Sequence, residues 1–185
     1  DISRHVVDKV GEKYHLPENR RFTNVDEMLS DSSLEAVVIC TNDHYEPGVK
    51  AAKAGKHMII EKPLAFNLAQ ADEMIAEAKK SGVIIQVGYM KRYDPGFQYA
   101  LEKVKTMKDI SYVRVHDFGG SFDFTTKVYD LYKGDDIPKE VLDKGMQDRI
   151  NAGIAEIGQE RAKYLMSYNN ILGLSSHDTI LMRHM

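Results

Sequence analysis

Apolar residues change their rhythm along this chain. Ala36-Val37-Val38-Ile39-Cys40 is a continuous apolar run, the pattern of a strand covered on both faces. His57-Met58-Ile59-Ile60 and Val83-Ile84-Ile85-Gln86-Val87 repeat it. Between these runs the apolar positions fall at helical spacing. One helix is predicted from Pro47 to Ala54 with Gly55 as its stop. Another is capped by Asn67, turns Ala71, Met74, Ile75 and Ala78 inward and stops at Gly82. Strands alternating with helices of about a dozen residues predict parallel βαβ units in a doubly wound sheet, with right-handed crossovers. Upstream, Ser3 is placed to cap a helix carrying Val6, Val10 and Tyr14, and Leu16-Pro17-Glu18-Asn19 breaks it. Arg21-Phe22-Thr23 reads as a short strand, and Asn24 with Glu27 as a capped helix start with Met28 and Leu29 on its apolar face.

Beyond Gly88 the texture differs. Asp94-Pro95 starts a helix through about Met107, and Ser111 to Asp117 alternates as a strand with one covered face. Residues 125 to 168 are charged and interrupted by glycines and Pro138, with helices expected near 139–150 and 154–168. Ser176-His177-Asp178 opens a last helix. The division expected is a partial dinucleotide-binding domain over 1–107 and a partial α+β substrate and oligomerisation domain over 108–185, with a helical insertion.

Composition narrows the function. With 43% hydrophobic and 29% charged residues the chain is ordinary globular protein. A net charge of -3 with no basic cluster argues against nucleic acid. No apolar stretch approaches the roughly 20 residues that span a bilayer. The lone Cys40 excludes an internal disulfide framework and fits a reducing, cytoplasmic setting; it reads as a buried small hydrophobe. There is no initiator Met, so the chain is read as incomplete.

Chemistry concentrates where strands end. Glu61-Lys62-Pro63 leaves the His57–Ile60 run, and ligands of open α/β sheets bind beyond the carboxyl ends of the strands. Pro63 restricts the backbone of Lys62 to extended conformations. A surface lysine in a turn is the plain alternative.

Taken together, Ala54-Gly55-Lys56-His57 with Glu61-Lys62-Pro63, then Gly88-Tyr89-Met90-Lys91-Arg92-Tyr93-Asp94-Pro95, then Ser176-His177-Asp178, resemble the Gfo/Idh/MocA oxidoreductases, the inositol dehydrogenase and glucose–fructose oxidoreductase group. The resemblance implies hydride transfer between nicotinamide and a sugar, cyclitol or related polyol. In it Lys62 would shuttle the hydroxyl proton or orient the hydroxyl, with His177 assisting. Asp1 would accept from the adenosine ribose hydroxyls, which favours NAD over NADP. Thr41, Asn42, His44, Glu61, Lys62 and Gln86 would line the cofactor, and Met90, Lys91 and Tyr93, with His177, would border the substrate. Arg92 and Asp94 are expected to pair locally. The resemblance also implies a homo-oligomer when full length.

Two features depart from the family pattern. No Gly-x-Gly-x-x-Gly is present to hold a pyrophosphate, so the chain is expected to begin after that element. Gly173 stands where related dehydrogenases often carry an aspartate, with Asn169 or Asn170 as candidate substitutes. Competing readings are a short-chain dehydrogenase using Tyr129 and Lys133, a metal site on His116-Asp117 or on His177-Asp178 with His184, and a non-catalytic, dinucleotide-sensing regulator on the same scaffold. The helical insertion is expected to cover the substrate cleft or extend an interface.

Overall fold

The computed structural model describes residues 1–116 and 127–185. Helix α1 (Arg4–Lys13) begins at Ser3, whose hydroxyl accepts from the Val6 N–H. Asn24 caps α2 (Val25–Leu29), its side-chain oxygen accepting from Asp26 and Glu27. Then come β1 (Ala36–Ile39), α3 (Tyr45–Lys53), β2 (His57–Ile60), α4 (Leu68–Ser81) and β3 (Ile85–Val87). The strands form a parallel sheet in the order β1-β2-β3, with Ile39 opposite Ile60 and Ile60 opposite Val87. This is the βαβαβ unit that the alternating pattern predicts. Its helices end where left-handed residues are required: Gly55 at φ 70° and Gly82 at φ 68°, which only glycine adopts cheaply.

The core lies between the sheet and the α3–α4 pair. Ile60, Ala52 and Met74 are fully buried, with Met58, Ala51 and Ala78 around them. Complete burial of a residue such as Ile60 is worth about 1.5–3 kcal/mol. Gly48 lets α3 approach α4 closely, since a Cβ there would stand 2.4 Å from the Met74 Cε.

Several elements depart from the sequence pattern. The strands are covered on one face only among the described residues: Val38 is 66% exposed and Ile59 47%. Cys40 continues that open face and is exposed, not buried, because it follows Val38 by two positions in the alternation. Ile75 also faces outward, one position off the stripe that Met74 and Ala78 define. Arg21–Thr23 and residues 111–116 are irregular, not strands; Asp117 lies outside the described residues.

The remaining chain is helical. Asp94 caps α5 (Pro95–Val104), accepting from the Phe97 N–H. Helix α6 (Lys139–Ile157) is one continuous helix where two were expected, for Gly145 and Gly153 are carried inside it. It stops at Gly158, at φ 86°. A 3-10 turn (Gln159–Tyr164) leads to α7 (Leu165–Asn170), a single π turn (Ile171–Ser175) and α8 (Ser176–His184). Ser176 opens the last helix as expected, directly after the π turn, and its N–H bonds back to Ile171.

Candidate active site at the carboxyl edge of the sheet

Parallel register sets the geometry. With Ile39, Ile60 and Val87 level, the next residues of each strand emerge side by side. The ladder extends one step beyond them, through Glu61 N–H to Ile39 O at 2.9 Å and Gly88 N–H to Ile60 O at 2.7 Å. Thr41-Asn42, Glu61-Lys62 and Gly88-Tyr89 therefore share one edge, the edge at which open α/β sheets hold ligands.

Lys62 is half-buried there. Its Nζ donates to the Gly173 carbonyl at 2.6 Å, and its N–H to Glu61 Oε2 at 3.2 Å. The Lys62–Pro63 peptide is cis. The Pro63 carbonyl is bound by Nδ1 of His44, a buried residue, at 2.7 Å. A carbonyl only accepts, so His44 Nδ1 carries the proton. Four residues beyond Gly173, on the same side of the helical path, His177 is buried with its ring edge-on to Tyr89, centroids 6.1 Å apart. The structure thus gathers Lys62, His177, His44 and Glu61 at one edge. Gln86 bonds the Tyr93 hydroxyl at 3.3 Å just beneath.

The other expected residues are placed less centrally. Met90 and Tyr93 are 65% and 64% exposed on the 3-10 turn Met90–Tyr93, which packs against α8. Lys91 stands on the same turn. Thr41 and Asn42 are exposed, and the Thr41 hydroxyl donates to the Asp43 carbonyl. Asp1 is engaged at the start of α1, where it accepts from the Ser3 N–H at 2.9 Å. Arg92 and Asp94 do not form the local pair expected of them: Asp94 is the α5 cap, and Arg92 Nη2 lies 3.4 Å from His184 Nδ1.

The charged helical segment reaches this edge too. Asn67 donates to the Ala152 carbonyl at 3.2 Å, and Glu156 accepts from the Leu68 N–H at 2.9 Å. The Tyr168 hydroxyl donates to the Phe66 carbonyl at 2.7 Å; burial, then Glu156, push its pKa up. Arg149 lies over the Phe66 ring, 4.7 Å from its centre. Sequence reasoning missed the Gly173 carbonyl, the His44–Pro63 clamp and the Tyr168 contact, all of which engage main-chain oxygens and leave no residue pattern. Among the described residues no three His, Cys, Asp or Glu side chains converge to hold a metal.

Residues 1–89 match the model of an oxidoreductase family with an NAD-binding Rossmann fold. The chain is 39% identical over 95 residues to a myo-inositol 2-dehydrogenase of Thermotoga maritima, covering 50% of this chain and 28% of that one. It is 38% identical over 80 residues to a scyllo-inositol 2-dehydrogenase (NAD(+)) of Bacillus subtilis, covering 42% and 23%. Among solved structures, a probable dehydrogenase of Thermotoga maritima superposes with a TM-score of 0.54 at 34% identity, over 57% of this chain and 32% of that one. An aldose-aldose oxidoreductase of Caulobacter crescentus gives 0.52 at 30% identity, over 56% and 32%. The chain thus spans about a quarter to a third of the proteins it matches. No helix of the described residues is long and apolar enough to cross a membrane. Over residues 1–89 the chain has an NAD-binding Rossmann fold and is similar to the Gfo/Idh/MocA oxidoreductases.

Proposed function

We propose that this chain is part of an NAD-dependent oxidoreductase that moves a hydride between nicotinamide and a hydroxyl-bearing carbon of a cyclitol, sugar or related polyol. The observation that carries the reading is Lys62, held by its ammonium at the carboxyl edge of the sheet, with His177 on the adjoining helical turn. The inositol dehydrogenase relatives support the substrate class.

The residues present fit the nicotinamide end of a dinucleotide. Glu61 is exposed beside Gly88, where a Cβ would stand 3.2 Å from its Oε1, so glycine keeps that exit open around the carboxylate. Glu61 and Gln86 would hold the nicotinamide side, Thr41, Asn42 and His44 the adjoining strand exit, and Asp1 the adenosine ribose. The bound nicotinamide would supply the two-electron acceptor. Alcohol oxidation also requires that the hydroxyl lose its proton, and Lys62 is the group assigned to take or orient it. His177 is the second polar contact to the substrate oxygen, through a ring nitrogen. Met90, Lys91 and Tyr93 border the substrate. Residues 1–107 serve the dinucleotide and 108–185 the substrate. A homo-oligomer in the cytoplasm completes the reading.

The test is calorimetric titration with NAD and NADP, on this chain and on one extended at its amino end through a Gly-rich strand–helix turn, followed by NAD-linked oxidation of myo-inositol. Lys62→Ala is expected to lower turnover about 10²–10⁴-fold, the usual weight of a positioned proton-transfer group. Absence of nucleotide binding by either chain would overturn the reading. Binding without turnover of any polyol would favour the dinucleotide-sensing regulator, which Gly173 in place of an aspartate also suits.

A further inference from the structure

The helical path from Leu165 to His184 contains one irregular turn, and Lys62 is bonded to its middle residue. In Ile171–Ser175 the spacing lengthens from four residues to five, so that the Ser176 N–H meets the Ile171 carbonyl. A single π turn amounts to one residue inserted into an α-helix, and such turns gather at functional sites. They widen the backbone and draw carbonyls out of line with the α-helical ladder. Gly173 stands at the centre of this one, and its carbonyl receives Lys62 Nζ at 2.6 Å, across 111 residues of chain.

The choice of glycine is not explained by crowding or by backbone. A Cβ at position 173 would meet nothing within 4 Å, and Gly173 is not among the residues with positive φ. What position 173 presents to Lys62 is main chain only. We infer that the π turn is a positioning device for Lys62: its Gly173 carbonyl seats the ammonium beside His177, in the place where related dehydrogenases are expected to use a carboxylate. A carbonyl orders the ammonium without neutralising it. Of the three N–H donors of the Lys62 ammonium, one is spent on Gly173 and, among the described residues, two are left to meet a substrate oxygen. A carboxylate at the same place would form an ion pair and compete for them. The use made of Lys62 rests on the oxidoreductase reading; the seat itself does not.

The experiment reads the lysine directly. Amines of the native chain are acylated with an N-hydroxysuccinimide ester, and the rate at each lysine is followed by mass spectrometry, with exposed Lys53 and Lys79 as internal references. Two variants are compared. Deletion of Leu172 removes the extra residue of the π turn. Replacement of Leu174 by its α-hydroxy acid turns the Gly173–Leu174 peptide into an ester, whose carbonyl is a weaker acceptor. Loss of a hydrogen bond to a charged donor is expected to speed acylation of Lys62 about tenfold relative to the references, with thermal midpoint little changed in the ester variant. A native Lys62 that reacts as fast as Lys53, or an ester variant that leaves its rate unchanged, would overturn the proposal. If the deletion does not fold, the ester alone decides. Labelling needs neither nucleotide nor polyol, so failure of the oxidoreductase reading would show separately, in the calorimetry.

Discussion

The βαβαβ unit and the helical segment after residue 127 are held by different means. In the first, Ile39, Met58, Ile60, Ala52 and Met74 are buried in one apolar cluster between the sheet and two helices. In the second, Ala152 is the one buried apolar side chain among the described residues, and attachment runs through hydrogen bonds: Asn67 to Ala152, Leu68 to Glu156, Tyr168 to Phe66 and Lys62 to Gly173. Apolar burial is non-directional and cooperative, whereas single hydrogen bonds are worth about 0.5–1.5 kcal/mol each net. The sheet unit is therefore held by many contacts at once, and the helical segment by contacts that can be broken singly.

The largest effect falls on the first unit. Ile60→Ala empties a fully buried position beneath α3 and α4, and is expected to cost about 2–5 kcal/mol in urea unfolding. Ile59→Ala, the same truncation one residue earlier, removes a side chain that is 47% exposed on the open face and should cost about 1 kcal/mol or less. Equal costs would mean that the open face is covered in solution and that the contrast between the two faces is wrong.

The next effect tests the joint between the regions. Asn67 does two things: its oxygen caps α4 by accepting from the Gln70 N–H at 2.8 Å, and its amide donates to Ala152 in α6. Asn67→Ala should cost about 0.5–2 kcal/mol through the cap. It should also speed amide hydrogen exchange across residues 139–157 more than in α3, because the joint loosens before the core does. Exchange in α6 that stays at its original rate would show that the helical segment does not depend on this contact.

The same contrast explains what was legible in the sequence. The βα unit could be read closely because three signals agree there: apolar runs for strands, Asn67 as cap, and Gly55 and Gly82 as stops with positive φ. The place of Lys62 at a strand's exit was legible for the same reason, since parallel register brings the strand exits to one edge. The helical segment defeated the same reasoning at particular residues. Gly145 and Gly153 read as breaks, yet both lie inside α6; at Gly153 a Cβ would stand 2.5 Å from Leu165 Cδ1, so glycine there serves helix packing. The alternation at 111–116 predicted a strand, but a strand needs a neighbour to pair with, and the sequence does not say whether one is present. Cys40 and Ile59 looked buried because an apolar run states what a strand can cover, not what covers it. The seat of Lys62 on Gly173 was hidden because a carbonyl carries no residue type.

The smallest effect concerns a third attachment, electrostatic and at the surface. Asp136, just before α6, binds the amino end of α1: one carboxylate oxygen accepts from the Ser3 hydroxyl, the other from the His5 N–H at 3.1 Å. Gly134 allows the approach, since a Cβ there would stand 2.8 Å from Ser3 Cβ. A carboxylate at a helix amino end meets unsatisfied N–H groups and the positive end of the helix dipole. The Ser3 hydrogen bond, and after it that of His5, hold the Asp136 carboxyl below its ordinary value of 3.8. A carboxyl whose folded pKa is depressed adds stability that is present above the unfolded value and is lost as pH falls through the folded one. The strap should therefore stay attached at neutral pH and release in acid, below 3.8. The group is exposed, so overall stability should change little while the local amides report the release. Following the His5 amide shift by NMR, the midpoint should fall below 3.8 and vanish in Asp136→Asn. A midpoint at or above 3.8 would mean that Asp136 is not bound at α1. The attachment of the segment to α1 would then rest on the ion pair of Lys13 with Asp130, 2.9 Å apart.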